Sequence, residues 1–245
     1  MTIFAGFDRI RIINLPSRPD RRAEMTAELR RIGLDGDPRV QFVDGVVVDD
    51  MKPFRRPGEK GIFLAQLGII ADAAAAGESV LILEDDVDFT PAARSWKPSP
   101  ECDIAYGGYE ATDADNLASS DIIGAHCIGF SVRAVQALAP FLSDLLRHEA
   151  PPPIDGAYVW FRRQREGFRT EFAEPVVAVQ RPSRSDITSG GLDRFGLLRP
   201  GLSIGRKIKR TLQRGNLTFG LREAIILSVI GIVITLAVAF HYSGR

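Results

Sequence analysis

The run Val80-Leu81-Ile82-Leu83 is apolar at every position and is followed at once by Glu84, Asp85, Asp86 and Asp88. A strand exposed on one face alternates apolar and polar residues. This one does not alternate, so it reads as buried on both faces. A chain built around such a strand needs a layer of structure on each side of it. The acids that follow must stand where the buried strand ends, and carboxylates that close together repel unless a positive charge lies among them.

The rest of the chain supplies the layers. Ile10 to Leu15 is a second apolar, β-branched run. It leads into a helical pattern in which Met25, Leu29 and Ile32 share a face and Gly33 ends the helix. Ser17 with Asp20 three residues on predicts a capping box, with Pro19 in the first turn. Val40 to Val46 reads as a strand ending at Asp44-Gly45, followed by a loop over 49–58. The stretch from Gly61 reads as a mostly buried helix stopped by Gly77. Beyond the acidic cluster the pattern predicts a strand over Cys102–Gly108, then a strand leading into a helix from about Ser131. A helix from about Asp155 and one last strand near 169–180 complete it. Strands alternating with helices predict an α/β sandwich with a mainly parallel sheet.

Charge and cysteine content exclude some classes. Lys plus Arg equals Asp plus Glu, 31 each, so nothing in the balance points to nucleic acid. Cys102 and Cys127 fit no metal spacing and read as reduced thiols near the core. The amino-terminal stretch does not read as a secretory signal, because Asp8 and Arg9 interrupt it. Toward the carboxyl end, Arg206, Lys207, Lys209, Arg210, Arg214 and Arg222 precede Ala224 to Phe240, which carries no charge. This predicts a globular domain over 1–195, a basic juxtamembrane linker over 196–222 and a transmembrane anchor over 223–242. The positive flank would keep the domain on the cytoplasmic face of the inner membrane, with the membrane as a partner.

Acids at the carboxyl end of a buried parallel strand lie where open α/β sheets bind ligands. Mn²⁺ or Mg²⁺ with one or two carboxylates and a diphosphate fits them, and so does a solvated acidic loop. Asn14 ends the first strand, and Arg18, Arg21 and Arg22 follow it near a helix amino terminus, where anions bind. Taken singly, Arg21 and Arg22 read as a solvated helix face.

The ordered set of motifs resembles glycosyltransferase family 25, the bacterial lipopolysaccharide glycosyltransferases related to collagen galactosyltransferases. The matching segments are INLPSRPDRR, VDG at Val43–Gly45, GEKG at Gly58–Gly61 and LEDDV at Leu83–Val87. After them come GAHCIGF, PPID and Gln180…Ser185-Asp186-Ile187. Where the family has Ser-His, this chain has Ala65-Gln66, and Ile62 replaces a Cys.

The resemblance implies a GT-A-like three-layer fold. It also implies transfer of a sugar, with inversion, from a nucleotide-sugar donor to a glycan or lipid-linked hydroxyl. The roles it suggests are Glu84 and Asp86 for the metal. Asn14, Arg18, Arg22, Asp44, Glu59, Gln66 and Asp85 would line the donor site. Asp155 is the first candidate for the base and Asp186 the second, each also readable as a helix N-cap. Asp88 is the weakest of the acids, and His126 reads as a satisfied core histidine. Tyr106 to Gly108 could lie near the donor sugar, and Trp160 and Phe161 read as packing. The alternative is a catalytically weakened, membrane-anchored binding or scaffold protein, favoured by Ala65-Gln66.

Overall fold

The computed structural model describes residues 3–181. Residues 3–180 fall within one compact unit, Met1–Gln180. The strands are β1 (Arg9–Asn14), β2 (Val40–Asp44), β3 (Val80–Glu84), β4 (Val87–Phe89), β5 (Ile104–Ala111), β6 (Ile122–Phe130), β7 (Thr170–Phe172) and β8 (Ala178–Gln180). The helices are α1 (Pro19–Ile32), α2 (Pro57–Ala76), α3 (Val132–Leu145) and α4 (Ile154–Gln164). Six strands form one sheet in the order β2-β1-β3-β6-β5-β7, and β4 pairs with β8 in a second.

The main sheet is mixed and mainly parallel. β1 pairs in parallel with β2 and β3, and β5 with β7, while β6 runs antiparallel between β3 and β5. The reversal follows from the connection. Only a loop over 112–121, without a helix, joins β5 to β6, and a connection that short makes an antiparallel pair, whereas parallel pairs need longer crossovers.

Alternation along the strands divides the core in two. Ile13, Val80, Ile82, Ile104, Tyr106, Ile128 and Phe130 face the α2, α3 and α4 side. Ile10, Ile12, Leu81, Leu83, Ala105 and Cys127 face Met25, Leu29 and Ile32 of α1. β3 is central and both its faces are covered, hence a four-residue run with no polar member. Fully burying each Leu or Ile contributes about 1.5–3 kcal/mol, so such a strand stabilises both layers at once.

Most helix ends follow their local signals. Gly33 and Gly77 close α1 and α2 in the left-handed conformation, at φ 88° and 67°. Ser131 caps α3, its side chain accepting from the Ala134 N–H. The capping box at Ser17 does not form. The residue before α1 is Arg18, whose side chain caps nothing and pairs instead with Asp20. α2 begins at Pro57, four residues before the expected Gly61, because Pro57 itself supplies the first turn. Gly61 is then needed for contact, since a Cβ there would lie 2.2 Å from the Val46 carbonyl oxygen.

Two expectations change. The last strand is two, β7 and β8, and β8 pairs with β4, which the acidic sequence around Asp88 concealed. α1 holds β4 in place: buried Glu28 accepts from the Phe89 N–H at 2.7 Å and is paired with Arg31. The anchored fold class and the inner-membrane localisation are also corrected. No helix among the described residues is long and apolar enough to cross a membrane. The anchor expected over 223–242 and the basic linker before it lie outside those residues.

Candidate active site

β1, β2, β3 and β5 run in one direction and β6 in the other. The carboxyl ends of the first four therefore meet the start of β6 along one edge of the sheet. Asn14 and Asp44 are partners in the β1–β2 register, and Glu84 lies opposite Ile13. Asp155, at the start of α4, accepts from the backbone N–H of Ala125 in β6. The edge thus gathers Asn14, Asp44, Glu84, Asp85, Asp86 and Asp155 from four elements or their exits.

The positive charge among the acids is Arg21. Its Nη1 lies 2.9 Å from Asp85 Oδ1 and 3.3 Å from Asp86 Oδ2, and all three side chains are largely buried. The other oxygen of Asp85 accepts from Asn14 Nδ2 at 2.7 Å, and the same amide donates to the Arg18 carbonyl at 3.2 Å. Asn14 therefore ties the end of β1, the entry to α1 and the exit of β3 together. Reading Arg21 as a solvated surface residue missed this. The signal was available: the first turn of a helix that follows a parallel strand faces the end of the neighbouring strand, and here that end is acidic.

Glu84 and Asp155 are electrostatically unlike an ordinary glutamate and aspartate. Burial, followed by the facing charges of Asp86, Asp155 and Asp85, pushes Glu84 well above the usual carboxylate range, and Arg21 opposes this. Gln180 Nε2 donates to Glu84 Oε2 at 3.3 Å. Burial raises Asp155 to about 6, against the Ala125 N–H that favours the charged form. Asp155 lies inside the first turn of α4 and is not its cap, since Pro153 holds that position.

Other candidates are placed differently. Arg22 stacks over the Phe42 ring at 4.2 Å. Arg18 is engaged by Asp20, and Glu59 stands 3.9 Å from Arg56 in the first turn of α2. Gln66 is buried and accepts from the Tyr158 hydroxyl, so its carbonyl joins α2 to α4 rather than facing the edge. Asp88 points to the α1 side, where its charge acts on Arg31. His126 is buried, bonds the Ala178 carbonyl at 3.1 Å through Nε2 and is held down to about 4 by burial, as a satisfied core histidine should be. Tyr106 is buried and stacks on Phe172. Gly107 and Gly108 serve packing: a Cβ on Gly108 would come within 2.6 Å of the Ala178 oxygen, and one on Gly107 within 2.8 Å of Cys127 Sγ. Phe161 is core, whereas Trp160 is exposed. Asp186 lies outside the described residues.

Glu84 and Asp86, expected to hold Mn²⁺ or Mg²⁺, stand two positions apart at the exit of β3. Among the described residues no group of three or more His, Cys, Asp or Glu side chains is arranged to hold a metal ion. Asp85 and Asp86 are turned onto Arg21.

No family model matches the chain. A curated human (Homo sapiens) protein, "Inactive glycosyltransferase 25 family member 3", is 35% identical over a segment covering 34% of this chain and 17% of that protein. The chain thus matches under a fifth of that relative's length. Among solved structures, a glycosyltransferase involved in glycosylation of the major capsid of PBCV-1 is similar at TM-score 0.48 and 15% identity. The match covers 72% of this chain and 94% of that one. The galactosyltransferase LgtC, solved in complex with donor and acceptor sugar analogs, is similar at TM-score 0.41 and 9% identity, over 80% and 96%. At these TM-scores neither structural likeness decides anything about this chain. Its motifs and its curated relative agree on one point: the chain is similar to glycosyltransferase family 25.

Proposed function

We propose that the protein is a glycosyltransferase that moves a sugar from a nucleotide-sugar to a hydroxyl of a glycan, with inversion. The acceptor class follows the lipopolysaccharide and related glycan synthesis of the family it resembles. The observation that carries the reading is Asp155. Its carboxyl, raised to about 6, shares an edge with the acids after β3. A carboxylate that titrates near neutral pH holds enough basicity to take a proton from an attacking hydroxyl. Inversion needs that base on the face of the sugar opposite the leaving group.

The leaving nucleoside diphosphate gains negative charge as the glycosidic bond breaks. Arg18, at the amino end of α1, is the chain's means of receiving it, exchanging its present partner Asp20 for the diphosphate. Asp44, at the end of β2, is assigned to the nucleoside and Glu59 to the same side, while Asn14, the register partner of Asp44, is held by Asp85 and the Arg18 carbonyl and positions the exit of β3. Arg22 and Gln66 are not assigned donor contacts, because Phe42 and Tyr158 engage them.

A panel of nucleotide-sugars tests this by ligand-observed NMR for binding, and by product formation with a glycan acceptor library for transfer. The wild type is expected to bind one donor and transfer its sugar with inverted anomeric configuration, and Asp155→Asn to bind the donor without transfer. Wild-type transfer rates in Asp155→Asn, or no donor bound by the wild type, would overturn the reading. The second reading, a binding protein without turnover, is favoured by the burial of Gln66 against Tyr158 at the position where the family has His. It predicts donor binding with no product from the wild type.

A further inference from the structure

The acidic cluster carries its own cation. Asp85 uses one oxygen on Arg21 and the other on Asn14, and Asp86 meets the same guanidinium nitrogen at 3.3 Å. Side-chain exposure is 12% for Arg21, 8% for Asp85 and 7% for Asp86, so bulk water screens these charges little. A hard divalent ion takes six or more oxygen ligands, and a carboxylate is its strongest protein donor. To reach Asp85 or Asp86 it would have to come within a few ångströms of a guanidinium already there. Two buried cations at that range repel strongly, and both Asp85 oxygens are already engaged, so an ion there competes with the guanidinium.

We propose that Arg21 holds the place at Asp85 and Asp86 that a divalent cation would have to occupy, so that such an ion enters only by displacing the guanidinium. Arg21 is the built-in counter-cation of the cluster. It keeps three successive carboxylates together in the absence of ligand and sets the threshold for metal entry. The inference concerns the cluster alone and holds whether or not the chain transfers a sugar.

The test uses the full chain and Mn²⁺ with no nucleotide present. Calorimetry and the electron paramagnetic resonance of free Mn²⁺ give the affinity for wild type, Arg21→Gln and Arg21→Gln/Asp86→Asn. Arg21→Gln is expected to bind Mn²⁺ at least about tenfold more tightly than wild type, and the added Asp86→Asn to remove the gain. Equal or weaker binding by a folded Arg21→Gln overturns the proposal. Should circular dichroism show Arg21→Gln unfolded, the wild type decides through the Arg21 side-chain N–H resonance under Mg²⁺ titration. Movement of that resonance with Mg²⁺ occupancy, or no occupancy at millimolar Mg²⁺, supports the proposal. Saturation with the resonance fixed refutes it.

Discussion

Replacing Asp155 by Asn should stabilise the protein at neutral pH and leave its stability unchanged in acid. Burial raises the Asp155 carboxyl from the ordinary 3.8 to about 6. Between those values the folded chain holds a proton that the unfolded chain has released. Stability therefore falls as pH rises through this window, and the loss is complete above about 6. At 1.36 kcal/mol per pKa unit, the difference amounts to about 3 kcal/mol. Asn has the same shape and never ionises, and its side-chain oxygen can keep the bond from the Ala125 N–H. The gap between variant and wild type should thus be near zero at pH 4 and open to about 3 kcal/mol by pH 7. Glu84 adds to it in the same direction, because losing the Asp155 charge removes one of the repulsions that raise Glu84. Urea unfolding of both proteins from pH 4 to 8 measures the gap directly, and every other titrating group acts alike in both and cancels. Parallel stability curves, or an Asn variant that is the less stable at pH 8, would refute the placement of Asp155 in a desolvated, acid-flanked position.

Tyr158→Phe should leave the Gln66 carbonyl buried with no donor and cost about 1–3 kcal/mol in urea unfolding. A change below about 0.5 kcal/mol would mean that this bond contributes little. Gly61→Ala must displace the Val46 carbonyl from the first turn of α2, and a loss of about 1–3 kcal/mol is expected. Unaltered thermal unfolding would contradict the close approach. His126, held down to about 4 from an ordinary 6.5, should stay neutral through the physiological range, and the stability it contributes is lost as pH falls below about 6.5 toward 4. Its imidazole carbon-bound proton signals should show no titration above about pH 5, and a midpoint near 6.5 would place it at the surface.

The layered α/β architecture was legible in the sequence because the signals are local. Val80–Leu83 could only be a strand covered on both sides, and the face shared by Met25, Leu29 and Ile32 could only be the covered side of a helix. The left-handed Gly33 and Gly77 follow from the same short-range sterics. The motifs INLPSRPDRR, VDG and LEDDV all fall along one edge of the sheet, since each begins at the end of a strand. β4 was not legible, because Asp88 lies in a strand whose partner, β8, is about 90 residues away and whose position is secured by buried Glu28.

What only the tertiary structure decided is the pairing of charges. The sequence by itself determined that Glu84, Asp85 and Asp86 would crowd the end of a buried strand and that some cation had to stand among them. By pattern alone that cation was a divalent metal, with Arg21 and Arg22 read singly as a solvated helix face. Folding brings the first turn of α1 against the end of β3, which selects Arg21, sends Arg22 to the Phe42 ring and leaves Arg18 with Asp20. It likewise turns Gln66 inward to Tyr158 and brings Asp155 across from α4 to the acids. The reason is physical. Propensity and periodicity act over a few residues, whereas the energy of a buried charge depends on which opposite charge lies within about 4 Å, and chain topology alone sets that distance.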